Sequence, residues 1–299
     1  MKDKHISVCI CTYQRPVLLK RLLEGLDRQQ TGGAFNYSIV VADNDAARSA
    51  EEVVASFARR SSVSAVVYCC EPRRNIALTR NKTIENADGD FIAFIDDDEF
   101  PGVDWLARLF QAAQDYKAAG VLGPVRPHFD ESPPRWILKG RFCERPEHPT
   151  GTVMDWTECR TGNLLFRREI LSDGEEPFRA EFGTGGEDVD FFMRMSQRGC
   201  VFVWCNEAPA YETVPPSRWT RRYMLSRAIL RGRNSLKISR GRMVLSLKSV
   251  VAVPLYSLVL PVTLLFGQHH FMRYCIRFCD HLGRLLALCG INPVRERRM

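Results

Sequence analysis

Four carboxylates stand in a row, Asp96, Asp97, Asp98 and Glu99, directly behind FIAFI, an apolar run that reads as a buried strand. Like charges gathered at a strand end repel one another and lose hydration unless something positive is held there. Alternate side chains of a strand share a face, so the spacing predicts that Asp96 and Asp98 converge on one ligand while Asp97 points away. Hard carboxylate oxygens suit Mg²⁺ or Mn²⁺, and two protein ligands leave the other positions to water and a diphosphate. The plainer alternative is a solvated acidic turn. Only the company these residues keep decides between the two.

That company lies at the ends of other apolar runs. Asp43 closes VVADND, where a carboxylate can accept the imide N–H of a uracil. CTYQRP offers backbone groups and the Tyr13 ring to a base, with Thr12 and Arg15 on either side. In RRNIALTRNKTIENA, Arg80 and Asn81 are read at a loop-to-helix transition, guanidinium and helix dipole both able to face a diphosphate. GGEDVDFF then places Glu187, Asp188 and Asp190 at a helix start. Acids there also simply favour the dipole, but the two preceding glycines let backbone approach a ligand closely.

The elements that must position these groups alternate along the first hundred residues. ISVCICTY, YSIVVADN, SAVVYCCE and DFIAFIDDD read as strands; PVLLKRLLEGLDRQ, SAEEVVASFARR and ALTRNKTIENA carry helical spacing. Strand and helix in alternation predict an α/β fold with a doubly wound, mostly parallel sheet, whose ligands bind at the carboxyl ends of the strands. Past about residue 120 the pattern turns irregular and Pro-rich, then resumes with TGNLLFRREI, GGEDVDFFMRMSQRG and VFVWCNEAPAYE.

Composition narrows the class. With 299 residues, 45% hydrophobic and 26% charged, the chain can build a full core, which excludes global disorder. The net charge of +7 is uneven. No acid occurs between Thr213 and Cys279, while Arg218, Arg221, Arg222, Arg227, Arg231, Arg233, Lys237, Arg240, Arg242 and Lys248 follow one another. Residues 249–267 then hold about eighteen residues without a charge, near the lower limit for crossing a bilayer, with Pro254 and Pro261 inside. FMRYCIRFCDHLGRLLALCG follows with the spacing of an interfacial helix. A nucleic-acid-binding protein is one alternative for so basic a stretch, but the apolar run after it fits an anionic membrane surface better. The first residues lack the pattern of a secretory signal, which leads to the expectation of a cytosolic bulk. Eleven cysteines without a CxxC pair read as buried thiols.

CTYQRP, VVADND, NIALTRN, FIAFIDDDEFPGVDWL, RTGNLLFRRE and GGEDVDFFMRMSQRG, in this order, resemble the family 2 glycosyltransferases with the GT-A nucleotide-sugar fold, over about residues 5 to 212. The chain looks most similar to the bacterial branch that builds exopolysaccharide or lipopolysaccharide repeat units. The resemblance implies a nucleotide-sugar-binding half at 1–120, an acceptor-binding and catalytic-base half at 121–240, and a membrane-associated helical tail at 241–299. It implies Asp43 on the base, Asp96 and Asp97 near the ribose and diphosphate, Asp98 with Asp96 on the metal, and Asp188 as catalytic base with Glu187 beside it. Asp190 is the fallback for the base. Thr12, Tyr13, Arg15 and Arg80 complete the expected donor site. The implied reaction is metal-dependent, inverting transfer from a nucleotide-sugar, a UDP-sugar first, to a lipid-linked saccharide at the cytoplasmic face of the inner membrane. One departure is that Tyr211 and Glu212 stand about where many relatives carry a metal-assisting His. A nucleotidyltransferase on an open α/β sheet is the competing enzyme class.

Overall fold

The structure, a computed structural model, describes residues 4–172, 174–183, 185–238, 242–291 and 294, without the side chains of residues 237, 238 and 242. Arg240 of the basic run therefore lies outside the described residues, as do the side chains of Lys237 and Arg242 and parts of the expected 241–299 tail.

The chain opens with β1 (Lys4–Thr12), α1 (Pro16–Leu26), β2 (Phe35–Asp43), α2 (Glu51–Ala58), β3 (Val66–Cys70), α3 (Ile76–Glu85) and β4 (Phe91–Ile95), the predicted alternation. It continues through β5 (Glu99–Pro101), α4 (Trp105–Asp115), β6 (Gly120–Leu122), β7 (Val125–His128), α5 (Arg135–Gly140), β8 (Asn163–Arg167), α6 (Glu187–Gln197), β9 (Phe202–Trp204) and β10 (Ala210–Thr213). Three helices follow: α7 (Arg221–Ile238), α8 (Arg242–Leu265) and α9 (Gln268–Leu288).

Seven strands form one sheet in the order β3-β2-β1-β4-β8-β6-β9, parallel except where β8 runs against β4 and β6. Its two faces follow the alternation of β1. Ile6, Val8 and Ile10 pack with α1, α2 and α4, where Leu19, Leu22, Leu23 and Leu26 give α1 its buried stripe. Cys9 faces the other way with Ile92 and Phe94, under Phe178 and the α6 residues Phe191 and Phe192. All eleven cysteines are free thiols. A second, three-stranded sheet, β5-β10-β7, was not foreseen. Each of its strands has three or four residues, too few to show a period.

Two compact units emerge, one of Met1–His128 with Arg145–Thr213, the other of Phe129–Glu144 with Val214–Met299. The boundary expected at residue 120 falls inside the first, because β6 starts at Gly120 and pairs with β8, which pairs with β4. A continuous sheet leaves no seam there. The second unit has its own small core of Trp136, Ile137, Val214, Trp219 and Met272. Trp219 is therefore part of a packed core.

Candidate active site

At the start of α1, Gln14 has φ +53° and Arg15 occupies the N-cap without capping through its side chain. Its guanidinium is spent elsewhere, on Asp97 at 2.8 Å and Asp98 at 3.2 Å. Thr12 donates its hydroxyl to the other oxygen of Asp97 at 2.8 Å. Strand β4 ends at Ile95 and the chain turns at once, Glu99 N–H donating to the Asp96 carbonyl at 3.0 Å. This overturns the predicted alternation, since strand geometry does not continue through Asp98. Asp97 and Asp98 share one arginine, while Asp96 turns toward another. Burial pushes the Asp97 carboxyl up to about 6 despite Arg15.

Asp96 is the open member, its side chain 46% exposed against 7% for Asp97 and 10% for Asp98. Glu99 is buried, with Oε1 lacking a hydrogen-bond partner, and burial followed by the Asp96 charge lifts it well above the usual carboxylate range. Gly162 lies against both, where an added Cβ would come within 2.9 Å of the Glu99 Oε1 and 3.2 Å of the Asp96 Oδ2. Its neighbour Asn163 accepts from the Trp105 indole at 2.8 Å and donates to the carbonyls of Pro124 (3.0 Å) and Ala208 (2.8 Å). The TGN motif therefore holds the floor beneath the acids.

Two residues that sequence reading did not assign join them. Glu212 lies opposite Glu99 across β10 and β5, and Arg145 donates to it at 2.6 Å. Arg145 comes from an irregular, Pro-rich stretch that carries no periodic signal. In the sequence Glu212 stands out only as a departure from relatives.

Arg80 is the central cation. Its side chain is 9% exposed, hydrogen-bonded to Glu187 and 3.9 Å from Asp96. Burial alone would lower its pKa; Glu187 and Asp96 more than reverse that, so the guanidinium stays charged. Arg80 lies in the second turn of α3 and not at its start, where Asn75 is the cap and accepts from Leu78 N–H at 3.2 Å. Ile76 N–H is likewise spent on the Gly183 carbonyl at 3.3 Å. The helix end predicted to face a diphosphate is thus occupied by protein. Asn81 is a tie, donating to the Phe178 carbonyl at 2.7 Å and accepting its N–H at 2.9 Å. Asn75 adds a bond to Ala180 at 2.8 Å. Together these bonds fasten α3 to the segment that leads into α6.

In the first turn of α6 the three acids differ in their attachments. Asp190 is buried between Arg194 (2.8 Å) and Arg179 (3.3 Å). Glu187 holds Arg80 through Oε1, its Oε2 is buried without a partner, and burial raises its pKa against the pull of Arg80. Asp188 is the most exposed of the three, its side chain 18% exposed, with Oδ1 accepting the Val189 N–H at 2.8 Å and the Arg160 Nε 4.0 Å from Oδ2. Gly185 and Gly186 have φ of +122° and +101°, and an added Cβ would meet nothing closer than 3.9 Å. Conformation, not close approach, requires these glycines.

Asp43 has no exposed surface. Its oxygens accept from the N–H groups of Asp45 (3.0 Å) and Ala50 (2.8 Å) and from the Tyr68 hydroxyl (3.2 Å). In this conformation it organises the loop after β2 and is closed to a base. Asn44 in turn donates to the carbonyls of Glu71 (2.7 Å) and Arg73 (2.6 Å), stitching that loop to the one after β3. Tyr13, half-buried, carries the Arg74 guanidinium 4.6 Å over its ring.

Among the described residues no three His, Cys, Asp or Glu side chains are arranged to hold an ion by themselves. The donor set nevertheless suits a divalent cation that shares its coordination with a diphosphate. Asp96, Asp97, Asp98, Glu99 and Glu212 outnumber Arg15, Arg80 and Arg145, and one buried carboxylate oxygen lacks a partner.

Residues 7–174 match Glycosyl transferase family 2. The succinoglycan biosynthesis protein ExoM of Rhizobium meliloti (strain 1021) is 38% identical over 232 residues, which cover 76% of this chain and 73% of ExoM. Chondroitin synthase of Escherichia coli is 26% identical over 253 residues, 71% of this chain and 35% of that protein. The crystal structure of S. aureus TarS 1–349 in complex with UDP is alike in fold, with a TM-score of 0.56 at 16% identity over 97% of this chain and 93% of that one. The chain belongs to glycosyltransferase family 2, and its sheet is that of the GT-A fold. Membership sets aside the nucleotidyltransferase and nucleic-acid-binding alternatives.

Proposed function

We infer that this glycosyltransferase inverts the anomeric centre as it moves a sugar from a nucleotide-sugar, a UDP-sugar first, to a hydroxyl of a lipid-linked saccharide. The observation that carries the reading is Arg80, which joins Asp96 on the donor side to Glu187, the neighbour of Asp188. In one displacement Asp188 takes the proton of the acceptor hydroxyl, that oxygen bonds to the anomeric carbon, and the bond from that carbon to phosphate breaks. Asp190 is unsuited to the base role because two arginines already hold its charge. Glu187 keeps Arg80 in place. Arg15 and Arg145, at the edges of the acid group, supply positive charge to the departing nucleoside diphosphate. Asp98 and Asp96 would hold Mg²⁺ or Mn²⁺, which when bound stabilises the negative charge that grows on the diphosphate. Thr12, Tyr13 and the loop tied by Asp43 border the base.

The UDP and UDP-GlcNAc complexes of TarS support a nucleotide-sugar donor. The name of ExoM supports a place in exopolysaccharide assembly. The apolar helix α8 supports work at a membrane, on the cytoplasmic side where nucleotide-sugars are available to a cytosolic enzyme. The test is release of nucleoside diphosphate by purified protein supplied with Mg²⁺ or Mn²⁺ and a panel of UDP-, GDP- and TDP-sugars. Release from none of them would overturn the donor assignment.

A further inference from the structure

The apolar helix α8 has two sides. At 100° per residue, Met243, Leu247, Val251, Leu255, Leu258 and Leu265 fall within one stripe about 120° wide, and all are exposed. Ser249, Tyr256 and Thr263 lie opposite, Ser249 and Thr263 being buried. Helix α9 covers that opposite side. The Ser249 hydroxyl meets His281 Nδ1 at 3.0 Å, and Tyr256 packs against Tyr274 with ring centroids 5.9 Å apart. Early α8 meeting late α9, across a turn at Phe266 and Gly267, makes the two an antiparallel hairpin.

On its far side α9 is clasped to α7. An added Cβ at Gly232 would come within 2.0 Å of the Asp280 carbonyl oxygen, and one at Gly283 within 2.3 Å of that of Ile229, so the two backbones touch. Arg231 also grips both oxygens of Asp280, at 2.9 and 2.7 Å. The three helices are therefore layered, polar α7 first, then α9, with α8 outermost.

This layering decides how α8 can meet a lipid. Were α8 to cross a bilayer, α9 would return beside it, carrying Arg273, Arg277, Asp280 and Arg284 roughly 8 to 24 Å along its length, within a hydrocarbon core about 30 Å thick. Each such charge is expensive at that depth, and α7 would have to follow with its own arginines. Pro254 and Pro261 also fall in the exposed stripe and leave the carbonyls of Val250 and Ser257 without helical donors. Hydrocarbon offers those carbonyls nothing, whereas the headgroup region offers water.

We propose that α8 is an in-plane membrane helix that lays its exposed stripe into the headgroup and acyl boundary of one anionic leaflet and does not cross it. Charge favours this occupant over a second copy of the chain. Lys248 borders the stripe, and the absence of acids from Thr213 to Cys279 would set two copies against each other as like charges. The proposal rests on the membrane-associated reading above and specifies its geometry.

Tryptophan introduced at three points along the stripe, as Val244→Trp, Leu255→Trp or Leu265→Trp in the full chain, tests it. Each variant is mixed with phosphatidylcholine–phosphatidylglycerol vesicles containing lipid brominated either near the headgroup or near the acyl terminus, and the quenching of the parent protein is subtracted. All three positions are expected to be quenched chiefly by the shallow bromines, and to similar extents. Deep quenching at Leu255→Trp with shallow quenching at the other two would mean a span and overturn the in-plane geometry while leaving membrane association intact. Failure of the parent protein to float with anionic vesicles, together with dimers in sedimentation, would overturn the membrane reading itself and assign the stripe to a second copy. The pair Leu255→Glu and Leu258→Glu should lower vesicle partitioning by about tenfold or more. Unchanged partitioning would show that the stripe is not the contact.

Discussion

Two groups of acids, one after β4 and one at the start of α6, look alike as strings of letters but are built on different plans. After β4, cations from separate parts of the chain meet the carboxylates: Arg15 from the loop after β1, Arg80 from α3, and Arg145 through Glu212. Charge there is shared among residues of two loops, of α3 and of the short sheet, brought together from across the chain. At α6, Asp190 is fixed by arginines four residues on and eleven residues back, and Glu187 by the single buried Arg80. Asp188 alone keeps a partly exposed carboxylate with no arginine closer than 4.0 Å among the described residues, held only by the Val189 N–H. A group that must accept a proton from a substrate has to be free to meet it, so exposure and the lack of a close arginine separate chemistry from scaffold where the sequence shows only three acids in four positions.

The sharpest way to break this comparison is to exchange the fates of Asp188 and Asp190. Asp188→Asn should fold normally, still bind nucleotide-sugar, and lose turnover by a factor on the order of 10² or more, as removal of a general base does. Asp190→Asn should take from the buried Arg194 its closest carboxylate, leaving it Glu175 at 4.0 Å and the Pro177 carbonyl, and cost about 3 kcal/mol of stability, with the folded fraction still active. Thermal melts beside single-turnover rates distinguish the two. A dead but stable Asp190→Asn with a working Asp188→Asn would move the base.

Next in size is the group after β4. Chelation of divalent ions and Asp98→Asn should each remove most of the transfer, and the variant should show a melt close to that of the parent. Full turnover in excess EDTA would sink the metal assignment. Arg80→Lys probes the link between the two groups. Lysine keeps the charge but cannot reach two carboxylates with a planar fork, so a loss of about 2 kcal/mol in transition-state stabilisation, roughly thirtyfold in kcat/KM, is expected. Arg145→Ala, at the rim, should raise KM for the donor by less than that. If Arg145→Ala is the more damaging of the pair, the cation that matters lies on Glu212 and not between the groups.

Much of this arrangement was legible in the residues. Leu19, Leu22, Leu23 and Leu26 announce the buried face of α1; β3 and β4 fall within runs read as strands, and β1 and β2 each begin two residues before theirs. What stayed hidden depends on contacts distant in sequence. The turn after Ile95 has no glycine or proline to mark it, so the residues read as a strand that runs on through Asp98, with its side-chain alternation. Asp43 reads as an open strand end, yet donors from Asp45, Ala50 and Tyr68 close it. Arg145 and the short strands β5, β7 and β10 carry no period at all. Arg80 keeps the company its motif predicts but lies in the second turn of α3 and not at the loop-to-helix transition, because Asn75 caps the helix.

The smallest expected effect concerns Asp97, the one acid after β4 that both Thr12 and Arg15 hold. Burial raises its folded-state pKa from 3.8 to about 6, so the folded protein holds this proton more tightly than the unfolded chain. The stability this confers is fully present below 3.8 and is lost as pH rises through about 6. In metal-free protein the melting temperature of the parent should therefore fall relative to that of Asp97→Asn across this window, by a few degrees, whatever other groups add to both curves. A divalent ion that engages the neighbouring Asp98 should draw the Asp97 pKa down and flatten the difference, because a positive charge nearby favours the ionised form. Parallel curves for parent and variant from pH 3.8 to about 6 would mean that Arg15 and Thr12 already offset the burial, and that the acids after β4 are as firmly compensated as Asp190.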